Sequence, residues 1–244
     1  MTDLLAVKAR PQPISDSAVS QMAADMERDG YCCLPSYVSG PDLRQMQEFA
    51  SGIIGNSGRT SVSLKSRDQF SGTKFEELAN SKSFQELFSK LYEIAAKKPS
   101  PEVEFYQVLR CLTGQDIAKE SLIFHYDSFL ITALVPIIIP TKGRRGDFLM
   151  FPNTRRIRSA YLTNLIDKVL VDNKISQWIL ARAARSGRFG VKRISLVPGN
   201  LYFFWGYRSI HTNEPCDPDQ LRSTALFHFA DPHANSQLKA RLRH

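Results

Sequence analysis

The 244-residue sequence has few cysteines, and their placement excludes two protein classes. They stand at 32, 33, 111 and 216, with neither the C-x-x-C spacing of a metal knuckle nor the dense framework of a small secreted disulfide protein. They are read as idle or buried thiols. No window approaches 18 uninterrupted apolar residues, which argues against a spanning helix. The first residues, with Asp3 early and Lys8 and Arg10 later, lack the basic-then-apolar order of a signal peptide, so the expected location is the cytoplasm. Internal repeats and low-complexity tracts are missing as well, which argues against a solenoid.

The sequence also has no evenly spread charge. The formal net charge is +8, yet residues 142 to 193 alone carry thirteen Lys and Arg against three Asp. The rest of the chain is therefore slightly acidic, which argues against general nucleic-acid affinity and points to one basic segment. With 43% apolar and 23% charged residues, the composition is that of an ordinary globular chain.

The order of elements gives the fold class. Residues 1–14, with Pro11 and Pro13, read as a loose arm ahead of one domain spanning 15–244. Val19, Met22 and Met26 recur at helical spacing until Asp29-Gly30. Tyr31 to Pro35 reads as a buried strand, and Ser39-Gly40-Pro41-Asp42 opens a second helix. Residues 55 to 72 read as a loop, and 83 to 97 as an amphipathic helix ended by Lys97-Lys98-Pro99.

Short β-branched and aromatic runs follow: Glu102 to Leu112, Ser121 to Ile139, Asp147 to Phe151, Ile194 to Pro198, Leu201 to Phe204, and Ser223 to Phe229. A basic helical insert interrupts them at about 155–190. Strands after a helical front half predict an α+β, mainly-β sandwich or barrel with helices packed outside.

The chemistry resides in FHYDSF and in LYFFWGYRSIHTNEP, read as a strand with His211 near its end. On a strand, a period of two turns His125 and Asp127 to one face, where they can share a metal. His211, 84 residues beyond Asp127, supplies a third ligand, and two histidines with one carboxylate form a facial set suited to iron(II). Arg222 follows eleven residues later and is the residue type that clamps a carboxylate bidentately. His228 and His233 are too widely spaced for a compact chelate and are given structural roles or roles supporting the ligands from behind. A zinc hydrolase with these ligands would lack a general base of the H-E-x-x-H kind.

These residues resemble the phytanoyl-CoA dioxygenase-like branch of the 2-oxoglutarate and iron(II) oxygenases. H-x-D, a long gap, a distal histidine and an arginine about ten residues later all match. At the front, Asp29-Gly30-Tyr31 and Pro41-Asp42-Leu43 match its DGY-type strand and P-x-L helix. The resemblance implies a double-stranded β-helix (jelly-roll, cupin-like) fold and iron on His125, Asp127 and His211. It further implies 2-oxoglutarate on Arg222, with help from Thr224 and from Gln107 in preference to Tyr106.

By the same resemblance, molecular oxygen would be consumed, succinate and carbon dioxide released, and a C–H bond of a small substrate hydroxylated or otherwise oxidised. Asp127 stands where halogenating relatives have a small residue. Phe124 departs from the family's tryptophan, and GDFLMFPNTRRIRS departs on the substrate side.

For the basic segment, the expectation is an acidic substrate held by Arg144, Arg145, Arg155 and Arg156, with peripheral contact to membrane or a lipid-linked substrate as a further possibility. The rival reading is a non-catalytic jelly-roll module that docks on an anionic surface through the basic helix.

Overall fold

The computed structural model describes residues 14–58 and 60–242, so all of the expected arm but Ile14 lies outside the described residues. The first helix, α1 (Asp16–Arg28), starts where the Ser15 hydroxyl accepts the Ala18 amide, and it buries Val19, Met22, Ala23 and Met26. It ends at Gly30, whose φ of +89° suits glycine and where a Cβ would meet Pro152 Cβ at 2.3 Å. Strand β1 (Tyr31–Leu34) follows, then α2 (Gly40–Asn56), capped by Ser39 with proline in its first turn.

Beyond α2 the expected loop contains a short strand, β2 (Val62–Leu64), and a 3-10 turn at Arg67–Phe70, because β2 finds an antiparallel partner further along the chain. Helices α3 (Lys74–Ala79) and α4 (Lys82–Ala96) lead into β3 (Tyr106–Leu112) and the short α5 (Ile117–Glu120).

The remaining strands are β4 (Ile131–Ile138), β5 (Phe148–Phe151), β6 (Lys192–Ile194), β7 (Leu201–Phe204), β8 (Ile210–Asn213) and β9 (Arg222–Phe229). The basic insert is a pair of helices, α6 (Tyr161–Asp172) and α7 (Lys174–Ser186), divided at Asn173, whose side chain caps α7 by accepting the Ile175 and Ser176 amides. A last short helix, α8, covers Gln237–Arg241.

All strand pairings among the described residues are antiparallel. They build a six-stranded sheet in the order β1-β7-β4-β9-β3-β2 and a three-stranded sheet in the order β6-β5-β8. The N-terminal helices cover one face of the large sheet. There Phe84 and Phe88 meet Phe227 and Phe203 edge-on, with ring centroids 5.0 Å apart in both pairs. Each such pair adds about 1 kcal/mol beyond the area it buries. The other face packs on the small sheet through Leu134, Phe148, Met150, Ile194, Tyr202 and Phe204. Period-two alternation thus sends half of each strand toward the helices and half into the space between the sheets.

Two expected strands are redrawn by this arrangement. Residues 122–130 are not a ladder; only an isolated bridge joins His125 to His211, and β4 begins at Ile131. The run from Leu201 to His211 is two strands in two different sheets, because the chain crosses the sandwich at Gly206 and Tyr207.

Candidate metal and carboxylate site

His125 and His211 are held opposite each other by reciprocal backbone hydrogen bonds, His125 N to His211 O at 3.2 Å and His211 N to His125 O at 3.0 Å. Their imidazole centroids are 4.5 Å apart. Each ring places Nδ1 on a backbone carbonyl two residues before it, that of Ile123 at 2.9 Å and that of Ser209 at 3.0 Å. A carbonyl only accepts, so each Nδ1 donates to it and each Nε2 is turned inward, the atom available to a metal. Both Nε2 atoms face Asp127 Oδ1, at 3.8 Å from His125 and 3.6 Å from His211.

The second oxygen of Asp127 is fixed from behind. Thr132 Oγ1 donates to Oδ2 at 2.5 Å, and His228 Nδ1 lies 3.5 Å from the same oxygen and 3.0 Å from Thr132 Oγ1. Gly206 makes room for this: a Cβ there would come within 2.3 Å of both Asp127 Oδ2 and Thr132 Oγ1. Burial alone would raise the Asp127 carboxyl, but His211 and His228 outweigh it and hold the group ionised, well below the usual carboxylate range. His125 keeps an exposed edge, yet crowding by protein atoms, with His211 adding to it, pushes its pKa down to about 4. One carboxylate oxygen and one ring nitrogen from each histidine lie within 4.8 Å of one another. Two imidazoles and one ionised carboxylate, braced from behind and open on one side, fit a mononuclear iron(II) ion.

Beside this cluster, a cavity of about 110 Å³ opens between the sheets, lined by Val108 and Arg110 of β3, by Phe148 and by Arg222, Thr224, Leu226 and His228 of β9. Arg222 is 2% exposed, and its one side-chain hydrogen bond among the described residues runs from Nε to Gly146 O at 2.8 Å. Burial, with Arg110 nearby, pushes its pKa down to about 10, which leaves it a cation at neutral pH. Arg110 has a counter-charge, since its Nη2 reaches Glu120 Oε2 at 3.2 Å. Arg222 forms no ion pair among the described residues, and Asp147 acts on it only at a distance. A buried guanidinium with no carboxylate bonded to it costs several kcal/mol, so the cavity suits an anion. Thr224 lies on the same face, as the strand period requires.

Gln107 does not join this group. It pairs with Phe227 in the ladder, faces the helices and lines a separate cavity with Asn80, Ser89 and Phe229. The opposite parity brings Tyr106 to the metal side, where its ring stacks on Phe129 at 5.5 Å and lies beside His228. The basic residues are placed elsewhere too. Arg144 pairs with Asp217, and Arg145 donates to the Pro140 and Leu196 carbonyls. Arg155 is buried between the Tyr126 and Tyr207 rings and bonded to Asp167, and Arg156 is exposed. None of the four lines the cavity of about 110 Å³.

Sequence reasoning missed Arg110 and Thr132, and gave His228 a structural or supporting role without naming what it braces. Only strand register reveals them, since Arg110 pairs with Thr224 and Thr132 with His228. His233, by contrast, is bonded to the Tyr207 hydroxyl at 2.9 Å and stands apart from the metal ligands.

Neither a family model nor a curated protein sequence matches the chain. Solved structures do. A prolyl hydroxylase from Trichoplax adhaerens, in complex with a hypoxia inducible factor peptide fragment, superposes with a TM-score of 0.61 at 12% identity, covering 91% of this chain and 94% of that one. The epimerase SnoN, in complex with Fe3+, alpha ketoglutarate and nogalamycin RO, gives 0.52 at 16%, covering 88% and 85%. The alpha ketoglutarate dependent carbocyclase SnoK from nogalamycin biosynthesis gives 0.56 at 13%, covering 94% and 93%. The helices outside two antiparallel sheets, with the ligand cluster between them, are thus the jelly-roll fold of the 2-oxoglutarate and iron(II) oxygenases.

Proposed function

We propose that the protein is an iron(II)- and 2-oxoglutarate-dependent oxygenase of the phytanoyl-CoA dioxygenase-like branch that hydroxylates or otherwise oxidises a C–H bond of a small substrate. One observation carries this reading: the facial His125, Asp127, His211 set and the buried Arg222, which forms no ion pair among the described residues, open onto the same cavity. A metal site alone would fit many activities. A metal beside an unpaired buried guanidinium fits a dicarboxylate that chelates at one end and is clamped at the other. Branch membership rests on the H-x-D, distal histidine and arginine spacing, together with the DGY and P-x-L segments at the front.

Iron with its keto-acid co-substrate and oxygen supplies the oxidising chemistry; the chain's own residues supply geometry. His125, Asp127 and His211 would hold the metal. Backbone carbonyls fix both imidazole tautomers, and Thr132 and His228 keep the carboxylate turned toward the metal position. Arg222, with Thr224, would orient the far carboxylate of 2-oxoglutarate, while Val108, Phe148 and Leu226 exclude water around it. The Tyr106, Phe129 and His228 rings form an aromatic wall beside the metal ligands, suited to an apolar substrate portion.

Anaerobic titration with iron(II) and 2-oxoglutarate tests the reading. A weak visible charge-transfer band is expected, lost on His125→Ala or His211→Ala. Folded protein that gives no band under saturating 2-oxoglutarate would move the assignment to a non-catalytic binding module.

A further inference from the structure

The two helices of the insert expose the wrong face. Their inner side is polar where it must be: Gln177 donates to Phe124 O at 2.7 Å and accepts the Phe124 amide at 2.9 Å, while Lys168 Nζ reaches Ser128 Oγ at 2.8 Å. This clamps the segment that carries His125 and Asp127. The outer side of α6 presents Leu162, Ile166, Val169 and Leu170, and that of α7 presents Ile175, Trp178 and Ile179, each between 50% and 72% exposed. The i, i+4, i+7, i+8 and i, i+3, i+4 spacings make each set a stripe along its helix. A helix packed on a globular protein ordinarily turns such a stripe inward.

Along α7 and the segment after it the charge has one sign, whereas α6 carries Asp167, paired with Arg155 and Arg158, and ends in the exposed Asp172. From residue 174 to 193 there are six Lys and Arg and no Asp or Glu. Lys192 and Arg193 are paired with Asp29 and Glu214, but Arg182, Arg185 and Arg188 form no ion pair among the described residues. With Trp178 these three arginines line a surface groove of about 410 Å³. Just beyond, Phe189 is 82% exposed. Exposed aliphatic and tryptophan side chains edged by unpaired arginines are the composition of a helix lying in a bilayer interface. A second copy of the same face would bring arginines together with no acidic group from residues 174–193 to pair them.

We propose that the outer face of the α6–α7 pair is a docking surface for an anionic lipid bilayer. The contact is peripheral, since no helix among the described residues is long and apolar enough to cross a membrane. It places the bilayer one helix layer from the metal ligands, because the inner side of the same helices grips Phe124 and Ser128. The proposal is independent of the oxygenase reading.

The sequence contains two tryptophans, Trp205 at 1% exposure and Trp178 at 65%, so a change in emission on binding reports Trp178. The full chain is mixed with phosphatidylcholine vesicles, with or without phosphatidylglycerol, and followed by fluorescence and co-sedimentation. A blue shift and pelleting with the anionic vesicles alone, both reversed by salt, support the proposal. Arg182→Gln, Arg185→Gln and Arg188→Gln should each weaken partitioning about five-fold, and Ile175→Ser with Ile179→Ser should weaken it without altering far-UV circular dichroism.

Three results overturn the proposal. One is no pelleting by folded protein. Another is the same blue shift with inorganic phosphate, which makes the groove a soluble-anion site. The third is a concentration-dependent dimer that shifts Trp178 emission without lipid, which assigns the face to a second copy.

Discussion

Arg222 donates its Nε hydrogen to the carbonyl of Gly146 over 2.8 Å, and the two residues are so close that a Cβ on Gly146 would stand 2.7 Å from Arg222 Cδ. Gly146 also has a φ of +74°, in the left-handed region. The glycine therefore does two things: it turns the chain, and it forms the wall against which the buried guanidinium is aimed.

Gly146→Ala should consequently displace Arg222 while leaving the metal ligands in place. Losing the orientation of one charged hydrogen-bonding group costs about 1.5–3 kcal/mol, or roughly ten- to a hundred-fold in 2-oxoglutarate affinity. Anaerobic titration reads both arms: iron(II) affinity near wild type and a weakened 2-oxoglutarate response. Equal loss of both would show that the substitution unfolds the site.

Thr132→Val removes the hydroxyl that donates to Asp127 Oδ2 and keeps the shape of the side chain. Partners behind a metal ligand are worth roughly ten- to a hundred-fold in metal affinity. Iron(II) binding, followed by competition with a chelator, should weaken by that range. An unchanged affinity would leave His228 as the brace that matters.

Gln107 and Arg110 are three residues apart on one strand and face opposite sides of the sheet. Gln107→Leu should leave 2-oxoglutarate affinity unaltered. Arg110→Ala removes a cation from the cavity and strands Glu120, so it should weaken binding of the dianion. A larger effect from Gln107→Leu would reverse the strand parity drawn here.

Asp167 ties the insert to Arg155 and Arg158. Burial would raise its carboxyl, but the Arg158 and Arg155 hydrogen bonds prevail and lower it below the ordinary value of 3.8. A folded pKa below the unfolded one means that the native state binds fewer protons in this range. The contribution is thus present above pH 3.8 and is lost as pH falls through the depressed value. Thermal melts should show the parent chain more stable than Asp167→Asn at pH 6, with the gap closing toward pH 3. A gap independent of pH would mean that the ion pair is not its source.

The H-x-D pair, the distal histidine and the arginine beyond it were legible from residue type, spacing and the family resemblance, and Thr224 from a period of two along β9; the strand expected under His125 and Asp127 is not one. Helical periodicity likewise placed α1, α2, α4 and the insert. What strand parity gives within one segment, however, it cannot give between segments. The choice between Tyr106 and Gln107 turned on which face of β3 meets the small sheet, and the sequence shows only that the two residues differ.

The remaining decisions were tertiary. Arg110, Thr132 and His228 enter the site through pairing across β3, β4 and β9, over separations of about a hundred residues that no local pattern encodes. The substrate arginines expected from charge density alone were redirected by packing: Arg155 found two tyrosine rings and an aspartate, and Arg144 found Asp217. The sequence by itself determined which side chains can ligate a metal and clamp a carboxylate, since that is a matter of their chemistry. The tertiary structure decided which groups brace them and which faces are left bare, because both depend on where distant segments meet.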